Sequence, residues 1–171
     1  VMNDTKYNPA REARKRGRPP AFDRSTVVHE AMLIFWQNGY EATSISDLTR
    51  AMGLSPPSLY GAFGDKRGVF RAAIDRYIGG PDAARSAIDA AESARTAALD
   101  LLTGSVVRYT GETTPAGCMA ATSVISCSPA AADIQAEVAA IRKTVEDALR
   151  ARIEIDVTKG VLPPGTDARI L

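Results

Sequence analysis

The chain has 171 residues, 45% apolar and 24% charged, enough apolar material for a buried core and too much for a disordered chain. No apolar run approaches the roughly 20 residues that span a bilayer, the polar N-terminus lacks the apolar stretch of a secretory signal, and Cys118 and Cys127 make no disulfide framework, so a cytoplasmic chain without a membrane partner is expected. The net charge of +1 hides an asymmetry: residues 1–81 carry 12 Lys/Arg against 8 Asp/Glu, residues 82–171 carry 9 against 12, and the halves stand at +4 and −3. The front half is the one suited to a polyanion.

Abundant alanine and scarce β-branched alternation, seen only in fragments such as Ile153 to Val157, predict an all-α fold. Residues 1–20 read as a flexible basic arm carrying Arg11, Arg14, Lys15, Arg16 and Arg18 and ending in Pro19 and Pro20. Asp23 is placed to cap a first helix over 24–38, with Val27 or Val28, Ala31, Met32, Ile34 and Phe35 on its apolar face and Gly39 as its stop. Trp36 and Tyr40 are expected to close the core around it.

Ser44 with Asp47 three residues on predicts a capped second helix that stops before Gly53, with Ile45, Leu48 and Met52 on one side. Ser55 caps a third, whose first position holds Pro56, where a missing N–H costs nothing; Gly61 and Gly64 keep it short. Asp65 caps a fourth over 66–78. Gly79, Gly80 and Pro81 then form a break, taken as the boundary between a head, residues 21–80, and a body, residues 81–171. Body helices are expected at about 82–91, 94–110, 117–127 and 130–158. In the last of these Ile134, Val138, Ile141, Val145, Ala148 and Leu149 recur at steps of four and three, a stripe for another helix.

The order of elements from Thr43 to Tyr77 reads as a helix-turn-helix. A short helix on a tight turn fits a major groove about 12 Å wide and projects side chains from its leading end. Leu59 and Phe63, four apart, would anchor that helix to the core and leave Pro56, Pro57, Ser58, Tyr60 and Ala62 toward double-stranded DNA. These small or apolar residues predict thymine-methyl and hydroxyl contacts with little guanine readout. Thr43, Ser44, the Tyr60 hydroxyl and Lys66 are correctly typed to hold phosphates on either side. Thr43, Ser44 and Ser55 also have a plainer reading as caps alone.

Residues 22–77 resemble the TetR family of bacterial transcriptional regulators through Ala42-Thr-Ser-Ile-Ser-Asp-Leu, Met52-Gly-Leu-Ser, Ser58-Leu-Tyr, Phe63-Gly-Asp-Lys and Val69-Phe. The resemblance implies a three-helix DNA-binding head, a helical effector-binding body, homodimerisation and usually repression. By position it carries DNA contact onto Ser44, Ser46, Pro56, Pro57, Ser58, Tyr60 and Lys66. The body is similar more loosely, through Gly117-Cys-Met, a long helix from about 130 and Gly160-Val-Leu-Pro-Pro. Family members bind small effectors between such helices, and Leu102, Val106, Tyr109, Met119, Thr122, Ser123 and Ile125 are the candidates here for a pocket holding an unknown small molecule; each is also readable as ordinary core. The family closes its dimer with two last helices, and here the second would begin near Thr166 and be cut off at Leu171, which would leave the 134–149 stripe without its usual partner.

Arg16-Gly-Arg-Pro19 resembles an AT-hook core, in which arginines lie in a narrow A·T minor groove; a solvated tail is the alternative. Two other functions remain open at the level of sequence: an architectural binder of AT-rich DNA that uses the arm, and a small thiol-dependent enzyme built on Cys118 and Cys127. The enzyme has little to stand on, since no C-x-x-C motif, Walker loop, dinucleotide fingerprint or metal-ligand cluster occurs, and the single His29 sits in the head. No catalytic residue, metal or cofactor is expected.

Overall fold

The computed structural model describes residues 22–169, and the arm with Arg16 and Arg18 lies outside them. Among the described residues the regular elements are helical: α1 (Arg24–Asn38), α2 (Ile45–Met52), α3 (Pro56–Phe63), α4 (Lys66–Ile78), α5 (Ala83–Ala90), α6 (Ala94–Tyr109), α7 (Met119–Thr122) and α8 (Ala132–Thr158), the last entered through a 3-10 turn, Pro129–Ala131. None of these helices is long and apolar enough to cross a membrane.

Each helix of the head begins where a short polar side chain can take the first free amides. The Asp23 carboxylate accepts from the N–H groups of Ser25 and Thr26, Ser44 and Asp47 form a reciprocal capping box, and Ser55 and Asp65 accept from Ser58 and Gly68. Gly53 ends α2 in the left-handed conformation, φ 63°, which lets the chain turn sharply into α3. Gly68 serves another purpose: a Cβ there would lie 1.8 Å from the Phe63 carbonyl oxygen, so the first turn of α4 packs on the end of α3 only without a side chain.

The main core gathers Phe35, Trp36, Tyr40, Leu48, Leu59, Val69, Phe70 and Tyr77 from the head with Met119, Val124, Ile134 and Val138 from beyond it. Phe35 meets Phe70 edge-on with ring centroids 5.0 Å apart, and Trp36 meets Tyr77 at 4.9 Å. The head is therefore continuous with the 119–138 region. A second, smaller core joins Ile88, Ala97 and Ala148 at the far end of α8, where Asp156 is buried and accepts from the Ala94 N–H at 2.7 Å, capping α6 from across the body.

Two expectations are corrected. The helix expected over 117–127 is only the four-residue α7: the Ala120 carbonyl, which a continuing helix would offer to the Val124 N–H, accepts from the Arg142 guanidinium at 3.0 Å, and the Ser123 carbonyl accepts the Tyr40 N–H at 2.6 Å. The stripe on α8 is not left open either: Ile134 and Val138 are buried in the main core, Ile141 packs on it, and Val145, Ala148 and Leu149 pack in the second core. The described chain covers this stripe itself.

Candidate nucleic-acid interface

Helix α3 is held by one face and offers the other. Leu59 is buried, Phe63 packs on the core, and Pro56, Pro57, Ser58 and Tyr60 are exposed, with Tyr60 48% accessible. Ala62, expected on the outer face, is half-buried. The leading turn is fixed by the Ser55 hydroxyl, which accepts the Ser58 N–H and lies 2.8 Å from the Ser58 hydroxyl. Ser55 and Ser58 thus steady one another at the end that would enter a groove.

A further clamp, missed by sequence inspection, holds the other end. Arg24, at the start of α1, donates to the Ala62 carbonyl at 3.2 Å and stacks its guanidinium 4.5 Å from the centre of the Phe63 ring. A free carbonyl at the end of α3 is satisfied by a cation, the sign that a helix C-terminus favours. No local pattern announces a contact between residues 38 apart.

The expected phosphate donors divide. Ser46 is exposed and Ser44 is exposed, but the Ser44 backbone N–H and hydroxyl both donate to Asp47, so a phosphate there must compete with a carboxylate. Hydrogen bonds from Ser44 hold the Asp47 carboxyl below its ordinary range, which keeps that competing charge in place. Thr43 is corrected to a brace: it is 1% exposed and its hydroxyl donates to the Gly39 carbonyl at 2.6 Å, leaving no side-chain donor for DNA. Lys66 is half-buried, donates to the Glu41 carbonyl at 3.2 Å and lies 4.5 Å from the Tyr40 ring centre; burial pushes its amine below the usual lysine range.

The seven effector candidates do not converge on one cavity. Leu102 and Val106 on α6, expected to face inward, are 66% and 62% exposed, and Ile125 is 71% exposed because the chain leaves α7 before reaching it. Thr122 is exposed with its hydroxyl returned to the Cys118 carbonyl. Met119 and Ser123 are buried, Met119 as part of the main core. Tyr109 is half-buried beside Cys118, whose sulfur also accepts from the Tyr77 hydroxyl at 3.4 Å. Burial alone would raise the Cys118 thiol, but hydrogen bonds from Tyr109, Tyr77 and the Ala121 and Ala120 amides bring it below the ordinary thiol value. Among the described residues no group of three or more His, Cys, Asp or Glu is arranged to hold a metal.

The chain is similar in sequence and fold to known regulators. Residues 27–73 match the family model described as bacterial regulatory proteins, tetR family. The HTH-type transcriptional repressor ComR of Escherichia coli (strain K12) is 36% identical over 156 residues, which are 90% of this chain and 74% of ComR. BdcR, an HTH-type transcriptional repressor of the same organism, is 32% identical over 72% of this chain and 64% of its own length. Among solved structures, a cysteine mutant of the TetR family transcriptional regulator CifR, complexed with 26bp double-strand operator DNA, superimposes with a TM-score of 0.80 at 37% identity, covering 89% of this chain and 80% of that one. An all-helical chain with this capped, clamped α2–turn–α3 unit and these relatives belongs to the TetR family of DNA-binding transcriptional regulators.

Proposed function

We propose that the chain is a ligand-responsive repressor that binds a palindromic operator as a homodimer, with α3 entering the major groove. The observation that carries this reading is the division of α3 into a buried side, Leu59 and Phe63, and a free side, Pro56, Pro57, Ser58 and Tyr60, fastened at both ends by Ser55 and Arg24. Ser58 and the proline edges read base edges and thymine methyls, whereas Ser44, Ser46, Ser55, the Tyr60 hydroxyl and Lys66 set register on phosphates. Arg16 and Arg18 add affinity through the minor groove with little sequence information.

Repression is supported by the likeness to ComR and BdcR, both transcriptional repressors, and operator binding by the likeness to the CifR complex. A dimer places two α3 helices one DNA turn, ~34 to 36 Å, apart, so an effector that shifts the heads weakens binding. The exposed row Leu99, Leu102, Val106 and Val107 on α6 supports association between copies. Such a protein works where the DNA is, in the cytoplasm.

Selection of duplexes from a randomised pool, followed by titration with the selected and a scrambled duplex, tests the reading. Expected is a palindromic site preferred by at least ~10³-fold, loss of that preference in Ser58→Ala, and a uniform weakening in Tyr60→Phe. Equal affinity for both duplexes at physiological salt would make the protein an architectural binder instead. Light scattering that finds only monomer, free and on DNA, would remove the homodimer.

A further inference from the structure

Two clefts open beside α1. The larger, about 590 Å³, is walled by Leu33, Trp36, Gln37 and residues 112–116 and offers one charge, Glu112. The smaller, about 350 Å³, lies where α1 and α4 of the head meet α6 of the body, and its walls are His29, Met32, Trp36, Arg76, Tyr77 and Arg108. It brings two guanidinium groups and an imidazole onto a floor of two aromatic rings and a thioether.

The cations of the smaller cleft are only partly spent on structure. Among the described residues neither Arg76 nor Arg108 has a carboxylate within 4.0 Å. Arg76 donates one N–H to the Ser25 hydroxyl at 3.0 Å. Arg108 reaches the Tyr77 carbonyl at 3.5 Å and stands 5.2 Å from the Tyr77 ring centre. A guanidinium carries five N–H donors, so most of these have no protein acceptor. Asp23 is the acid that feels Arg76, but its oxygens are already taken by the Ser25 and Thr26 amides and the Thr26 hydroxyl. Nδ1 of His29 is shut off from water and has no partner.

We propose that this cleft binds a small organic anion with a flat apolar body, an aryl carboxylate in chemical class. Its carboxylate is shared by the Arg76 and Arg108 forks, which match that geometry, and its ring lies on Met32, Trp36 and Tyr77. The inference rests on the ligand-responsive reading above and gives it a location outside the seven candidates drawn from sequence. Because the walls come from head and body together, the occupant ties α4 to α6 and shifts the balance between head positions.

Trp36 is the only tryptophan and walls both clefts, so its emission reports occupancy of either without DNA in the cuvette, and the arginine variants tell which cleft is filled. Benzoate is expected to change Trp36 emission along a saturable curve, while benzamide, uncharged and of the same shape, does not at equal concentration. Arg108→Gln and Arg76→Gln should each raise the half-saturating benzoate concentration by roughly tenfold or more, with Arg108→Lys in between, because a charged hydrogen bond is lost. Circular dichroism melting shows whether each variant is folded, and only variants that melt like the wild type are compared. Equal responses to benzamide and benzoate, absence of saturation, or unchanged titrations in both glutamine variants would overturn the site. The same holds if both variants lower operator affinity and its salt slope while leaving the benzoate curve alone, since the arginines would then be phosphate contacts. A saturable, arginine-dependent response without any effect on operator affinity keeps the site and removes its link to repression.

Discussion

The two ends of the molecule hold themselves together by different means. At the head, Phe35, Tyr40 and Phe70 interlock ring against ring, and α3 and α4 are laid on that cluster by residues that cannot be exchanged for size, Gly68 above all. At the far end of α8 the buried core is Ile88, Ala97 and Ala148, small side chains with little area to remove from water. The gap is bridged by polar links: Asp156 caps α6, and Arg152, nearly buried, lies 3.3 Å from Asp156 and donates to the Glu92 carbonyl. The end that must hold α3 in one pose is fixed by packing. The end away from it is fixed by a few directional bonds, which let go as a unit when one is removed.

Removing the centre of each region should therefore give effects of different size. Phe35→Ala empties a fully enclosed site and is expected to cost about 4 kcal/mol, read by urea denaturation. Asp156→Ala leaves the Ala94 amide and the Arg152 guanidinium without their buried partner and should cost about 3 kcal/mol. Ile88→Ala should cost only about 2 kcal/mol, because the partly buried Leu101, Val145 and Leu149 around it can close on the space. If Ile88→Ala proves worse than Asp156→Ala, apolar packing governs both ends and the contrast disappears.

The same contrast explains what could be read from sequence. The caps Asp23, Ser44, Ser55 and Asp65 act within three residues, and the Leu59–Phe63 spacing is a property of one helix, so α1 to α4 were legible before any coordinates. The failures are long-range. Where α7 stops, the Ala120 carbonyl is taken by Arg142 and the Ser123 carbonyl by the Tyr40 N–H 83 residues away, and nothing near Ser123 announces either. Thr43 has the residue type of a phosphate donor, but its burial is decided by the packing of α1 and α2 around it. Leu102 and Val106 look like pocket residues because they could face inward from adjacent helices; whether a residue on α6 faces in or out depends on which helices reach it. Arg24, Arg76 and Arg108 gave no signal at all, since each acquires its role from elements distant in sequence.

A sharper probe of the head is Gly68→Ala. The added methyl meets the Phe63 carbonyl, a backbone atom that cannot swing aside, so α3 and α4 must part. Expected is a loss of about 2 kcal/mol in stability, together with a loss of preference for the selected duplex over the scrambled one. Gly61→Ala, where the added carbon meets nothing within 4 Å, serves as the control and should melt at or above the wild-type temperature. A Gly68→Ala protein that keeps full discrimination would show that the pose of α3 does not depend on its seat against α4.

The weakest links lie between the two regimes, where α4 meets the start of α8. Arg71 holds Glu137 through two hydrogen bonds, at 2.8 and 2.5 Å, and Arg67 lies 2.9 Å from Asp133. The Arg71 guanidinium keeps the Glu137 carboxyl below its ordinary range, and the Arg67 guanidinium does the same for Asp133. With folded values depressed, their contribution is complete above the unfolded carboxylate range, near pH 4, and is lost as the pH falls through the lower folded values. Both pairs are close to half exposed, so water and salt screen them, and Arg71→Gln should cost no more than about half a kcal/mol at neutral pH. Its clearer mark is on the pH profile: the drop in melting temperature below pH 4 should be shallower in Arg71→Gln than in the wild type, and the two curves should converge at the acid end. A constant offset at every pH would mean that the Arg71 side chain contributes by packing on α8, and that head and body are joined at this seam by contact area, as at Met119 and Ile134, with the charges adding nothing.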